Sequence, residues 1–188
     1  MKNEKTKNIL IIVGVVAFCA LFVLAVLMYD KLSGNFSQKS PEKGDVNTQV
    51  ILADDFKVYD SDGNAVRLSD KIGKPVVVNF WATWCGPCRS EMPVFDAAYK
   101  EYGDEVEFMM VNLTDGYNDI PEKVAEFVDA NGYSFPIYHD LEQNAARVYS
   151  VYSIPMTLFV NADGSLYDTV IGAMNEKSFM VRLEAIMK

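Results

Sequence analysis

Two cysteines one helical turn apart, Cys85 and Cys88, stand in Trp84-Cys85-Gly86-Pro87-Cys88. The run Pro75-Val76-Val77-Val78-Asn79-Phe80-Trp81 before them is rich in β-branched and aromatic residues and predicts a buried strand. The residues from Cys88 to Tyr102 are helix-compatible, so the thiols fall where a strand gives way to a helix. At a helix start, first-turn N–H groups and the helix dipole favour a thiolate at the first cysteine. Gly86 lets the turn form, and Pro87 presets φ at a position whose N–H would be unpaired in any case. Two other uses of such a pair are half of a zinc site and a pair of unreactive thiols. Structural zinc wants four ligands. Beyond this pair the chain offers only Cys19, inside an apolar run, and the lone His139. The pattern favours redox chemistry, with no metal and no bound cofactor expected.

The elements that must position these thiols are preceded by a segment of another kind. Residues 9–29 form 21 positions without a charged side chain. At about 1.5 Å rise per residue such a helix matches a hydrocarbon core of about 30 Å. Lys2, Lys5 and Lys7 against Glu4 place the N-terminus on the cytoplasmic side by the positive-inside rule. The expectation is a retained single-pass anchor in residues 1–29, with the catalytic domain on the extracytoplasmic side of the cell membrane. Cleavage after Leu32-Ser33-Gly34 and lipidation at Cys19 are the alternatives. The first site is weak, and bulky Phe18 precedes a cysteine that lies mid-run.

Residues 30–47 are polar and poor in large apolar side chains, and predict a flexible linker with an r.m.s. span of about 20–25 Å. From residue 30 onward 14 Lys and Arg face 25 Asp and Glu, a net charge of −11. That surface repels nucleic acid and anionic head groups, so neither is an expected partner. It mainly signals solubility.

Residues 48–188 read as one globular domain. Phe56–Tyr59 and Ala65–Leu68 flank an Asp-Gly turn and predict a hairpin. After the 75–81 strand and the CxxC helix comes a strand over Val106–Leu113. A helix over Pro121–Ala130 follows, with Asp119 as its cap and Asn131-Gly132 at its end. Phe135–His139 predicts a short strand and Leu141–Tyr149 a helix. Met156–Val160 and Leu166–Ile171 predict a second hairpin, and a last helix starts near Asn175 and buries Phe179, Leu183, Ile186 and Met187. The order β-β-β-α-β-α-β-α-β-β-α implies a mixed sheet covered by helices.

Two stretches carry a resemblance to a known family: Asn79-Phe80-Trp81-Ala82-Thr83-Trp84-Cys85-Gly86-Pro87-Cys88-Arg89-Ser90-Glu91-Met92-Pro93, and Ser153-Ile154-Pro155-Met156-Thr157. They resemble the thioredoxin superfamily, specifically its membrane-anchored TlpA/ResA-like thiol–disulfide oxidoreductases. The implied fold is thioredoxin-like α/β, a central mixed β-sheet flanked by helices, with an N-terminal β-hairpin extension, a central helical insertion over 114–130 and an N-terminal transmembrane helix. By this resemblance Cys85 is the nucleophile, Cys88 the resolving thiol, and the two form a redox-active disulfide. Trp84, Gly86, Pro87, Ile154 and Pro155 would bind substrate. An X–Pro bond is cis in only about 5–6% of cases, so the residues alone predict trans at Ile154–Pro155. The resemblance reverses this, with the Ile154 backbone presented to a substrate strand. Pro93 matches a helix-kinking proline.

Glu91 lies three residues after Cys88, near it on the same helical face. In ResA-like members a glutamate here lies beside the thiols, where it relays a proton or raises a cysteine pKa. The other reading is an exposed first-turn acid complementing the dipole. Cytosolic thioredoxins have a buried Asp where this chain has Asn79, which strengthens the catalytic reading of Glu91. His139 reads as a strand end. Tyr133, Tyr138, Tyr149 and Tyr152 read as packing residues, with the rim of a substrate groove as their other use.

The implied activity is protein disulfide reduction in exported substrates, by a monomer re-reduced through a CcdA- or DsbD-like membrane thiol transporter. Cytochrome c maturation is one role found in the family. Two alternatives stand beside it: a disulfide-forming oxidase, and a non-catalytic module using the thioredoxin groove. Both cysteines and Pro155 are present, which counts against the module. A peroxidase is disfavoured, because the Thr-x-x-Cys of peroxiredoxins is replaced by Thr83-Trp84-Cys85.

Overall fold

The protein is seen in a computed structural model that describes residues 21–24, 27–28 and 50–188. It divides into two compact units, Met1–Thr48 and Gln49–Lys188. In the first, the described residues are helical. Most of the expected span over 9–29, and all of the expected linker over 30–47, lie outside the described residues. Among the described residues no helix is long and apolar enough to cross a membrane.

The second unit runs β1 (Lys57–Tyr59), β2 (Ala65–Arg67), β3 (Val76–Trp81), α1 (Gly86–Tyr102), β4 (Glu107–Asn112), α2 (Pro121–Asn131), β5 (Ile137–His139), α3 (Asn144–Val148), β6 (Met156–Val160), β7 (Leu166–Ile171) and α4 (Glu176–Ile186). This is the element order expected from the sequence. The strands form one sheet, ordered β2-β1-β5-β4-β3-β6-β7. β3, β4 and β5 are parallel, while β1 and β6 run against them. The central helical insertion therefore brings a strand with it: α2 and β5 together widen the sheet beyond β4.

β3 is buried along its whole length, which is why it reads as an unbroken apolar run. Its alternate residues face two cores. Val77 and Trp81, with Phe108 and Met110 of β4, pack beneath α1, α2 and α4. Val76, Val78 and Phe80, with Met109 and Val111, pack against Phe56, Leu68, Ala145 and Tyr149. In the first core the rings of Phe95 (α1) and Phe179 (α4) lie 4.6 Å apart.

Three local expectations change. The residue before α2 is Ile120, extended and without a side-chain cap, and Asp119 turns away from the helix into the protein. α3 is only five residues long, because Gln143 before it is left-handed (φ 52°). Its first-turn N–H groups, those of Ala145 and Ala146, donate to the Asp140 carboxylate. Met187 is only half-buried, whereas Phe179, Leu183 and Ile186 are buried as expected.

Candidate active site

At the carboxyl end of β3 the chain leaves the sheet in a tight turn, with the Cys85 N–H donating to the Ala82 carbonyl at 3.2 Å. α1 begins at once. Cys85 is its N-cap, and the Cys85 Sγ accepts from the Cys88 N–H at 3.2 Å. The sulfur thus occupies the place where an N-cap oxygen would take up an orphan first-turn donor. Pro87 sits in the first turn, where a missing N–H costs no helical bond. Cys85 and Cys88 are joined as a disulfide, with their Cα atoms 5.3 Å apart. Cys88 is 0% exposed and Cys85 5%. The first thiol is thus the more accessible, but by less than its helix-end position suggests. Trp84 beside it is 58% exposed.

β6 is antiparallel to β3, so the loop leading into it returns to the same end of the sheet. There the Ile154–Pro155 bond is cis, as the resemblance implied, and the Ile154 carbonyl oxygen lies 3.8 Å from Cys85 Sγ. The Pro155 carbonyl accepts from the Gly172 N–H at 2.7 Å, tying this loop to the end of β7. The structure therefore gathers Trp84, Cys85, Gly86, Pro87, Cys88, Ile154 and Pro155 at one end of the sheet.

Glu91 is 2% exposed, so it is not a solvated first-turn acid. Its Oε1 accepts from Asn79 Nδ2 at 3.0 Å, and its Oε2 from the Met174 N–H at 3.0 Å. Asn79 Nδ2 also donates to Thr157 Oγ1 at 3.0 Å. Burial pushes the Glu91 carboxyl above its usual range, and the bonds from Met174 and Asn79 oppose this without cancelling it. An aspartate at position 79 would set two carboxylates against each other. The amide instead supplies donors.

A second buried carboxylate escaped the sequence reading. Asp119, 0% exposed, accepts from the Thr83 N–H at 2.8 Å, from the Thr83 hydroxyl, and from Asn112 Nδ2 at 2.8 Å. The chain of contacts continues: Thr114 Oγ1 donates to Asn112 Oδ1 at 3.0 Å and lies 3.1 Å from His139 Nδ1. Burial pushes the His139 imidazole below its usual value. An acid one residue before a helix reads as a cap, and nothing in the local sequence separates that use from this one.

Beside Thr83 a shallow cleft of about 470 Å³ is lined by Arg89, Lys123, Glu126, Phe127 and Ala130, with the Arg89 guanidinium over the Phe127 ring. Tyr138 is buried and Tyr149 packs half-buried against the same core, the Tyr149 hydroxyl donating to the Asp54 carbonyl. Tyr133 stacks on Phe135, whereas Tyr152 is 82% exposed. Among the described residues no group of three or more His, Cys, Asp or Glu side chains is placed to hold a metal ion.

Comparison with known proteins agrees with this geometry. The AhpC/TSA family matches residues 52–169. The thioredoxin-like protein YneN of Bacillus subtilis is 36% identical over 162 residues, covering 86% of this chain and 94% of that protein. The thiol–disulfide oxidoreductase ResA of Geobacillus kaustophilus is 35% identical over 170 residues, covering 88% and 91%. Among solved structures, StoA from Bacillus subtilis superposes with a TM-score of 0.60 at 27% identity, over 71% of this chain and 98% of that one. A putative thiol:disulfide interchange protein DsbE from Chlorobium tepidum superposes with a TM-score of 0.65 at 26% identity, over 73% and 96%. The chain belongs to the AhpC/TSA family and is a ResA-like thiol–disulfide oxidoreductase of the thioredoxin superfamily.

Proposed function

We propose that this oxidoreductase works in the reducing direction, on disulfides of exported proteins, from a membrane anchor in residues 1–29 with residues 30–47 as tether. The single observation behind the mechanism is the placement of Cys85 Sγ between the Cys88 N–H and the Ile154 carbonyl. In the reduced protein the Cys85 thiolate, favoured at the helix N-terminus, attacks one sulfur of a substrate disulfide. The substrate's other sulfur leaves as a thiolate and takes up a proton, and a mixed disulfide remains. Cys88 then loses its proton and attacks Cys85 Sγ. The substrate's second thiol is released, and two electrons have passed from the Cys85/Cys88 pair to the substrate. Buried beside this helix turn, with a raised pKa, Glu91 is suited to accept the Cys88 proton. The Ile154–Pro155 loop offers backbone for the substrate strand, and Trp84, Gly86 and Pro87 flank it. A CcdA- or DsbD-like membrane thiol transporter would restore the dithiol, and the Gly-Pro pair between the cysteines, as in reducing thioredoxins, favours this direction. Maturation of c-type cytochromes is one process this activity would serve.

Acid quenching and thiol trapping in intact cells tests the direction. A mostly reduced Cys85/Cys88 pair is expected, whereas a mostly oxidised one would make the protein an oxidase. In the same cells Cys88→Ala should accumulate mixed disulfides through Cys85, and Cys85→Ala should accumulate none. Equal trapping by both variants would refute the division of labour.

A further inference from the structure

Asp119 is a buried carboxylate without a counter-charge: none of the ion pairs among the described residues includes it. Burying such a charge is costly unless hydrogen bonds compensate. Two of its bonds come from one residue, Thr83, through both the N–H and the hydroxyl. Thr83 is the second residue of the Ala82–Cys85 turn. The last sheet bond on this side runs from the Leu113 N–H to the Trp81 carbonyl, so the Thr83 N–H is the first donor beyond the ladder. Asp119 takes it up where the sheet no longer can. The far side of the clamp is itself fixed. Asn112 of β4 donates to Asp119, Thr114 ties Asn112 to His139 of β5, and the Gly116 N–H donates to the Asp119 carbonyl at 3.0 Å. The Asp119 N–H donates to Asp115 Oδ1 at 3.1 Å.

We infer that Asp119 is a positioning residue for the reaction at Cys85, clamping the turn that carries this thiol to the β4–α2 connection and so fixing its place at the α1 N-terminus opposite Ile154. The inference rests on the reading of Cys85 as the attacking thiol. It also assigns work to the 114–120 segment, which otherwise only leads into α2.

The test uses reduced protein and three variants. Asp119→Ala removes the clamp. Asp119→Asn keeps an oxygen for the Thr83 N–H, and the Thr83 hydroxyl can turn to accept from the new amide. Thr83→Val removes one donor and keeps the volume. Cys85 alkylation by iodoacetamide is followed against pH by peptide mass spectrometry, beside kcat/KM for a model disulfide peptide and the thermal midpoint. Misplacement of a reacting group by about 1 Å costs up to about 100-fold. For a loosened turn, a roughly tenfold fall in kcat/KM is expected in Asp119→Ala, with the Cys85 alkylation profile moved to higher pH. Asp119→Asn should stay within about twofold of wild type in both, which a role through charge would not allow. Wild-type rates and profile in a folded Asp119→Ala, with only the thermal midpoint lowered, would overturn the inference. So would an equal shift of the profile to lower pH in both Asp119 variants. If Asp119→Ala does not fold, Thr83→Val decides: a several-fold fall supports the clamp, and wild-type behaviour overturns it. Wild-type alkylation falling on Cys88 ahead of Cys85 has a separate signature. It would remove the reading on which the inference stands, and the inference with it.

Discussion

Replacing Glu91 by Gln removes one buried charge and keeps the side-chain volume. Residues three apart on a helix have Cβ atoms about 5–6 Å apart. At an effective dielectric constant of about 20, a carboxylate about 6 Å from a thiolate repels it by about 3 kcal/mol. Such repulsion raises the Cys88 pKa of the reduced protein when Glu91 is ionised. Cys85 lies six residues from Glu91, about 9–10 Å along the axis, where the same repulsion is weaker. Burial raises the Glu91 pKa itself, so the repulsion is fully present only at pH values above that raised pKa, where the carboxyl is ionised. Glu91→Gln should therefore lower the pKa of both cysteines, Cys88 more than Cys85. If the carboxylate also takes the Cys88 proton, release of substrate from the mixed disulfide should slow although more thiolate is present. Linkage supplies an independent check. A carboxyl whose folded pKa is raised stabilises the protein most below its unfolded value of about 4.5, and this stability is lost as pH rises through the folded value. Wild type should thus lose stability relative to Glu91→Gln on going from pH 4 to pH 8. The assay pairs site-resolved alkylation against pH with denaturant midpoints at both pH values. Superimposable alkylation profiles for the two proteins, with parallel stability curves, would refute the reasoning.

Asn79→Asp turns a donor into a second buried acid at the 3.0 Å contact with Glu91. The two carboxyls should share one proton through neutral pH, so stability should fall more steeply with rising pH than in wild type; an unchanged slope would show that the pair does not interact. Phe95→Ala empties a fully buried position where α1 meets α4, its ring tilted against that of Phe179. A loss of about 3–5 kcal/mol is expected by denaturant titration, and a loss below about 1 kcal/mol would mean that the core collapses to fill the gap.

The order of elements in the 50–188 unit was legible because each rests on a local signal. β3 announces itself by an unbroken apolar run, and α4 by its stripe of Phe179, Leu183 and Ile186 below the Asn175 cap, which accepts from the Ser178 N–H. The hairpin turn was legible from its Asp62-Gly63 pair, with Gly63 at φ 82°, and the Asp60 carboxylate completes it by accepting from the Asp62 and Asn64 N–H groups. The thiols and their facing proline were legible through motif and resemblance. The buried polar pairs were not. Asn79 meets Glu91 across 12 residues and Thr157 across 78, Glu91 meets Met174 across 83, and Thr83 meets Asp119 across 36. No periodicity encodes a bond between distant loops, and an acid before a helix has an easier local explanation. The sequence overstates the length of α3 for a related reason: Leu141–Tyr149 is helix-compatible, but the left-handed Gln143 turns the chain just before Asn144.

The chain enters the 50–188 unit beside the β6–β7 turn: the Leu166 N–H donates to the Ile51 carbonyl, and the Ala53 N–H to the Gly164 carbonyl. Val160, which precedes that turn, is paired with Val76, the residue of β3 farthest from the thiols. Point of entry and point of reaction are thus opposite poles, a strand of six residues or about 20 Å apart. On the anchored reading, whatever moors residues 1–29 pulls on the pole that does no chemistry. A pull on the chain where it enters this unit therefore acts at the edge remote from the Cys85–Cys88 turn, and the sheet between them stands in the path of any strain that would reach the thiols.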